Sequence, residues 1–126
     1  MKPKRVLSVG QCWADHGSIS RTLKQEFGAE VVNAETGDAA LEQIRQGGFA
    51  LVLVNRVFDA DGAAGLDLIR LVKSDPALRS QPVMLVSNYE DAQEEAEKLG
   101  ALSGFGKASL GRPHMLERVR PLLKGE

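Results

Sequence analysis

Few side chains in this sequence are placed to do covalent chemistry, and most of them stand just after short apolar runs. Cys12 and His16 follow Val6-Leu7-Ser8-Val9, and a thiol near an imidazole is a nucleophile–base pair. No third group that would orient the imidazole is visible, so packing or loop solvation is the expected role. With His114 they are the soft metal ligands of the chain, too few and too ill-spaced for a structural zinc. Asp59 and Asp61 follow the run Phe49-Ala50-Leu51-Val52-Leu53-Val54. They are either carboxylates open to a phosphoryl group or turn formers beside Gly62. Gly106-Lys107 matches the end of a phosphate-binding loop, but that pattern needs Gly at Ala101 and Ser or Thr at Ala108. No Gly-x-Gly-x-x-Gly follows the first apolar run, which argues against a dinucleotide site.

The elements that must position these groups alternate along the chain. Arg5 to Val9 reads as a strand, and Ile19, Leu23 and Phe27 recur at helical spacing until Gly28. Glu30 to Ala34 is a second strand, and Asp38 to Gln46 a second helix stopped by Gly47-Gly48. Phe49 to Val54 is apolar at every position, the signature of a strand buried on both faces. After a loop from Arg56 to Ala64, Leu66, Ile69 and Val72 mark a third helix, which stops before Pro76. Pro82 to Val86 is the fourth strand. Asn88 and Asp91 make a capping pair for a fourth helix bearing Ala92, Ala96 and Leu99. Ser103 to Lys107 is a weak fifth strand, and Pro113 opens a last helix that Pro121 should end or kink. Such alternation predicts one doubly wound α/β domain over residues 1–126. Its chemistry belongs at the carboxyl ends of the strands. Gly10 to His16, Asn55 to Asp61, Ser87 to Tyr89, and Lys107 to Ser109 therefore form the expected crevice.

Composition narrows the function classes. The chain has 126 residues, 43% hydrophobic and 26% charged, with 16 basic against 17 acidic side chains and a net charge of -1. That balance gives no bulk attraction for nucleic acid or an anionic membrane. One cysteine allows no internal disulfide. The basic start Met1-Lys2-Pro3-Lys4-Arg5 is followed by too short an apolar run for a secretory leader, which needs roughly 7–15 residues. A soluble, cytoplasmic protein is expected.

The blocks Thr36-Gly37-Asp38-Ala39-Ala40-Leu41, Gly65-Leu66-Asp67-Leu68-Ile69 and Pro82-Val83-Met84-Leu85-Val86-Ser87, with Phe49 to Val54, carry a family likeness in their order and spacing. Over nearly its whole length the chain resembles the receiver domains of two-component response regulators. The resemblance implies a flavodoxin-like five-stranded parallel sheet, order 2-1-3-4-5, with five helices. It also implies a crevice in which an aspartate after the third strand takes a phosphoryl group from a histidine kinase. In that family an acidic pair after the first strand helps to hold Mg²⁺, a Ser or Thr ends the fourth strand and a Lys the fifth.

Carried over, the phosphoacceptor position falls on Asn55, and the acidic pair on Gly10 and Gln11. A neutral amide is no nucleophile toward phosphorus, and Mg²⁺ wants hard, charged oxygens. Phosphoryl transfer depends on positioning and charge neutralisation, so its loss is expected. Ser87 and Lys107 are the retained positions. Ala108 replaces the family's proline after the lysine, so a trans bond is expected there. Phe105 falls near the family's switch aromatic. The run to Lys107 is about one residue short, and a one-residue slip turns a strand side chain over, so core packing is its expected role. The loop after Asn55 is about two residues longer than the family's usual loop before Gly65.

The expected function is that of a pseudo-receiver, not an enzyme, with no cofactor or metal, acting by protein–protein contact. Two alternatives stand beside it: an active receiver phosphorylated at Asp59 or Asp61, and a flavodoxin-like small-molecule binder using the loop from Gly10 to Ser18. The fourth helix is acidic (Glu90, Asp91, Glu94, Glu95, Glu97) and the fifth helix region basic (Arg112, Arg118, Arg120, Lys124). Either the two helices balance each other within one subunit or they support a weak, salt-sensitive homodimer.

Overall fold

The computed structural model describes residues 3–124, so Met1 and Lys2 of the basic start and the last two residues lie outside it. Its strands are β1 (Arg5–Val9), β2 (Glu30–Ala34), β3 (Leu51–Asn55), β4 (Val83–Val86) and β5 (Leu102–Phe105). Its helices are α1 (Trp13–Phe27), α2 (Gly37–Gln46), α3 (Gly65–Ser74), α4 (Glu90–Leu99) and α5 (Pro113–Leu123), with a single 3-10 turn at Lys107–Ser109. All strand pairs are parallel, in the order β2-β1-β3-β4-β5. The doubly wound sheet with five helices is therefore present, in the expected order.

Every residue of β3 is buried, because this strand lies at the centre of the sheet with helices on both faces. The two-residue period splits its side chains. Val52 and Val54 pack with Leu7, Val9, Leu68 and Ile69 on one face, while Leu51 and Leu53 pack with Val6, Ile19, Met115 and Val119 on the other. β1 and β3 thus carry the core, and their carboxyl ends are held still by it.

Several sequence expectations shift locally. α1 begins at Trp13, inside the stretch expected as the first crevice loop, because the Cys12 thiol sulfur accepts a hydrogen bond from Asp15 N (3.4 Å) as its N-cap. Only Gly10 to Cys12 is therefore loop, and Trp13 to Ser18 are the opening turns of α1. Phe49 precedes β3, buried beneath the Arg5 guanidinium at 4.6 Å from its ring. Tyr89, not Asn88, is the N-cap of α4, and it has no side-chain cap. Asn88 instead accepts from Ala108 N (3.1 Å), and Asp91 accepts from its neighbour Ala92 N (2.9 Å). Pro121 lies inside α5 without ending it. In the last turn a missing N–H costs one bond, and Lys124 N still closes on Arg120 O (2.8 Å).

β5 runs from Leu102 and stops at Phe105, so Lys107 sits on the 3-10 turn beyond it. Its ladder is irregular: Met84 faces Leu102 and Val86 faces Phe105, which puts one extra residue in β5. Gln93 of α4 fills that gap. Its Nε2 donates to Leu85 O (2.9 Å) and Ser87 O (3.1 Å), and its Oε1 accepts from Gly104 N (3.3 Å). Gly104 must lack a side chain, since a Cβ there would meet Leu85 O. Phe105 is 2% exposed and belongs to the core, as expected for packing.

Replacing Gln93 by Leu keeps the volume but strands the bulge's backbone groups. The variant is expected to lose about 1–3 kcal/mol in urea unfolding, with faster hydrogen exchange at the Gly104 amide. Unchanged stability and exchange would show that the bulge does not depend on Gln93.

Candidate functional site

The carboxyl ends of β1 and β3 are joined by one amide. Asn55 is the last residue of β3 and is 4% exposed. Its Nδ2 donates both to Gly10 O (3.0 Å) and to Val57 O (2.7 Å), and its Oδ1 accepts from Arg56 N (3.0 Å). Both amide hydrogens are thus committed to backbone carbonyls. A carboxylate in this position would have no hydrogen to give and would face two carbonyl oxygens.

The loop after β3 explains why Gly10 has no side chain. Val57 bridges to Ala64, Phe58 N donates to Ala63 O (2.8 Å), and Gly62 N returns to Phe58 O (2.8 Å), forming a small closed turn. The turn aims Phe58 inward, where it is 2% exposed within the β1–β3 core. Gly10 has φ +70°, and a Cβ on it would overlap the Phe58 ring. Asp59 N reaches back to Gly10 O (2.9 Å), so that carbonyl accepts twice. The extra loop length therefore puts a ring where a side chain at position 10 would otherwise stand. Sequence reading did not single out Phe58; the signal is a lone aromatic in a loop of small and charged residues.

Asp59 and Asp61 are exposed on this turn, away from the crevice lining. Asp61 Oδ1 accepts from Ala63 N (3.0 Å), the turn-forming role. Gln11 is 8% exposed, and neither of its amide atoms has a hydrogen-bond partner among the described residues.

The other half of the crevice is polar and cationic. Ser87 is buried, and its Oγ accepts from Tyr89 N (3.1 Å) at the head of α4. Lys107 Nζ pairs with Asp15 Oδ2 on the first turn of α1 (3.2 Å). Asp15 escaped sequence reading because the pair spans most of the chain. The Lys107–Ala108 bond is trans. A space of about 300 Å³ lies between Asn55, Ser87, Asn88 and Lys107, with Arg56 and Tyr89 at its mouth. It brings Asn55, Ser87 and Lys107 together, while Gly10 and Gln11 are outside its lining.

Mg²⁺ does not fit this set. The crevice lining contains no carboxylate, it includes two cationic side chains, and Asn55 turns its N–H groups to the carbonyls. Among the described residues no three His, Cys, Asp or Glu side chains converge as a metal-ligand group. Cys12 and His16 also fail as a catalytic pair. The thiol serves as a cap, and His16 Nδ1 is buried without a partner. Burial lowers the His16 pKa from its ordinary value, which favours the neutral ring. Trp13, 85% exposed, lies 6.4 Å from that ring between centroids.

No family model matches the chain. Over 90 residues, 69% of its length, it is 37% identical to the transcriptional regulatory protein ZraR of Escherichia coli (strain K12). It spans about a fifth of that relative, 19% of its length. A response regulator from Thermotoga maritima superposes with a TM-score of 0.77, 23% identity and coverage of 97% and 98% of the two chains. The chemotaxis response regulator CheY4 of Vibrio cholerae gives 0.75, 19% identity and coverage of 97% and 100%. The fold is that of response regulator receiver domains.

An aspartate at 55 would be held neutral by its two carbonyl neighbours, because Lys107 is already paired with Asp15. Its folded pKa would lie above the unfolded value of about 3.9, so stability is lost as pH rises through that window. Asn55→Asp is expected to cost about 2–4 kcal/mol at pH 7 and much less near pH 4. Denaturant melts across pH 4–8 check it. A variant as stable as the parent at pH 7 would contradict the arrangement.

Proposed function

We propose that the chain is a receiver domain of two-component signalling that has lost phosphoryl chemistry and works by phosphorylation-independent contact with other proteins. It is not an enzyme in this reading, uses no cofactor or metal, and operates in the cytoplasm. The observation that carries the proposal is the spent amide of Asn55 at the end of β3, with Phe58 closed over Gly10. Phosphoryl transfer needs a nucleophile and a neutralised charge, and neither is supplied here. The buried Ser87 and the ion-paired Lys107 act as structural ties of the α4 and 3-10 turns instead. No helix among the described residues is long and apolar enough to cross a membrane, and the balanced charge favours neither nucleic acid nor lipid.

Incubation with acetyl phosphate and Mg²⁺ is expected to leave the intact mass unchanged in the parent and in Asn55→Asp. A phosphoryl adduct on Asp59 or Asp61 would replace this reading by that of an active receiver with a displaced acceptor. Adding carboxylates at positions 10 and 11 is not expected to rescue Asn55→Asp, because Gly10→Asp runs into Phe58 and a positive φ.

Contact through the α4–β5–α5 face is the second part of the proposal. Glu90, Glu94 and Glu97 of α4 face His114 and Arg118 of α5 across one cleft of about 410 Å³. No ion pair joins the two helices among the described residues; Arg120 pairs within α5, with Glu117 at 2.8 Å. Acidic and basic walls left uncombined in one subunit suit a two-fold partner of the same sequence. Exposed pairs contribute only about 0–1 kcal/mol each, so the dimer is expected to be weak and to dissociate with salt. Sedimentation at low and high salt tests this, with loss of the dimer in Arg118→Glu/Arg120→Glu. A strictly monomeric species at low salt and high concentration would refute it.

A further inference from the structure

We infer that the groove between the loop after β3 and the first half of α4 is a docking site for a short basic segment of a partner protein. The inference rests on the reading of the chain as a contact module and names the chemistry of what it contacts. The groove holds about 690 Å³ and shares only Glu94, on the ridge of α4 between them, with the cleft across β5. Its floor is apolar: Val57, Leu66 and Ala92, with the Tyr89 ring forming one end. Val57 is 41% exposed and Tyr89 57%, so both present apolar surface to an incoming chain. The Arg56 guanidinium stacks on Tyr89 at 4.6 Å, which stiffens that end. The closed turn from Val57 to Ala64 and the bulk of Phe58 beneath it fix the opposite wall. The surface is therefore built before any partner arrives, and little ordering is left to oppose binding.

Charge selects the occupant. Asp91, Glu94 and Glu95 edge the groove along α4, with Asp91 and Glu95 one turn apart on the same ridge. Among the described residues no lysine or arginine comes within ion-pair distance of any of the three. A partner side chain with an aliphatic anchor would fill the floor, and lysines or arginines beside it would meet these carboxylates. Arg56, which follows β3 and stacks over Tyr89 at the start of α4, would take a carboxylate or carbonyl from the other end of the segment. The groove thus dictates direction: acceptor toward Arg56, cations toward Glu95. A second copy meeting it face to face about a two-fold axis would set acidic rim against acidic rim, which disfavours self-association here.

A fluorescein-labelled synthetic peptide of about twelve residues, long enough to lie along such a groove, is a suitable probe. It carries lysines, then two central leucines, then a free carboxyl terminus. Binding is followed by anisotropy and by amide shifts of the ¹⁵N-labelled protein, with and without acetyl phosphate and Mg²⁺. Shifts are expected at Val57, Leu66, Tyr89, Ala92 and Glu95. Asp91→Lys/Glu95→Lys, which leaves the α4–α5 cleft untouched, is expected to weaken binding by about tenfold or more, while Glu26→Lys, remote on α1, should change it little. The well-dispersed spectrum of each surface variant shows that it is folded. Shifts centred on Gly104 and Arg118, equal binding of a glutamate-for-lysine peptide, or no shifts at millimolar peptide would each overturn the proposal. The same shifts appearing with protein concentration alone would assign the groove to a second copy and overturn it as well. Binding only after acetyl phosphate treatment would keep the groove but defeat the phosphorylation-independent reading.

Discussion

The crevice of this protein is organised by the side-chain amide of Asn55. Two donated hydrogen bonds from one nitrogen tie the end of β3 to the end of β1 and to its own following loop. Because the group is almost fully buried, leaving its carbonyl partners without a donor would carry their desolvation cost. The tie fixes the direction in which the chain leaves β3. The following turn then delivers Phe58 onto Gly10, whose positive φ and missing side chain make room for the ring. Each feature requires the others. A side chain at position 10 would expel Phe58, and an acceptor at position 55 would release the loop.

That interlock carries the functional argument. Receiver chemistry, as the resemblance implies it, needs carboxylates at the ends of β1 and β3 and a cation that holds them together. Here the same strand ends are held by neutral hydrogen bonds and a buried ring, with no cluster of like charges for a cation to hold together. Lys107 finds its counter-charge in Asp15 on α1, and Ser87 caps the turn into α4. The proposed contact function follows from this: the scaffold is kept rigid without a phosphoryl cycle, and its outer faces remain charged and accessible.

The sheet and helices were legible because their periodicities are clean. β3 is apolar throughout and had to be central, while Ile19, Leu23 and Phe27 could only line a helix face. The identities at positions 10, 11, 55, 87 and 107 were legible too, and the structure gathers Asn55, Ser87 and Lys107 into one crevice. What stayed hidden depended on single contacts between distant segments. The early start of α1 rests on a thiol cap, a residue type rarely read as an N-cap. The bulge in β5 is filled by Gln93 from another element, and nothing in Leu102-Ser103-Gly104-Phe105 announces it. The inward turn of Phe58 needs the hairpin closure between Val57 and Ala64, which is a register fact, not a composition fact.

The most direct test of this account is the side-chain NH₂ of Asn55 observed by NMR. Both of its protons are expected to exchange slowly with water, with couplings across the hydrogen bonds to the Gly10 and Val57 carbonyls. They should hold their positions when Mg²⁺ is added together with acetyl phosphate. A rapidly exchanging amide, or one whose resonances move with Mg²⁺, would show a side chain free to face the crevice and would contradict the account.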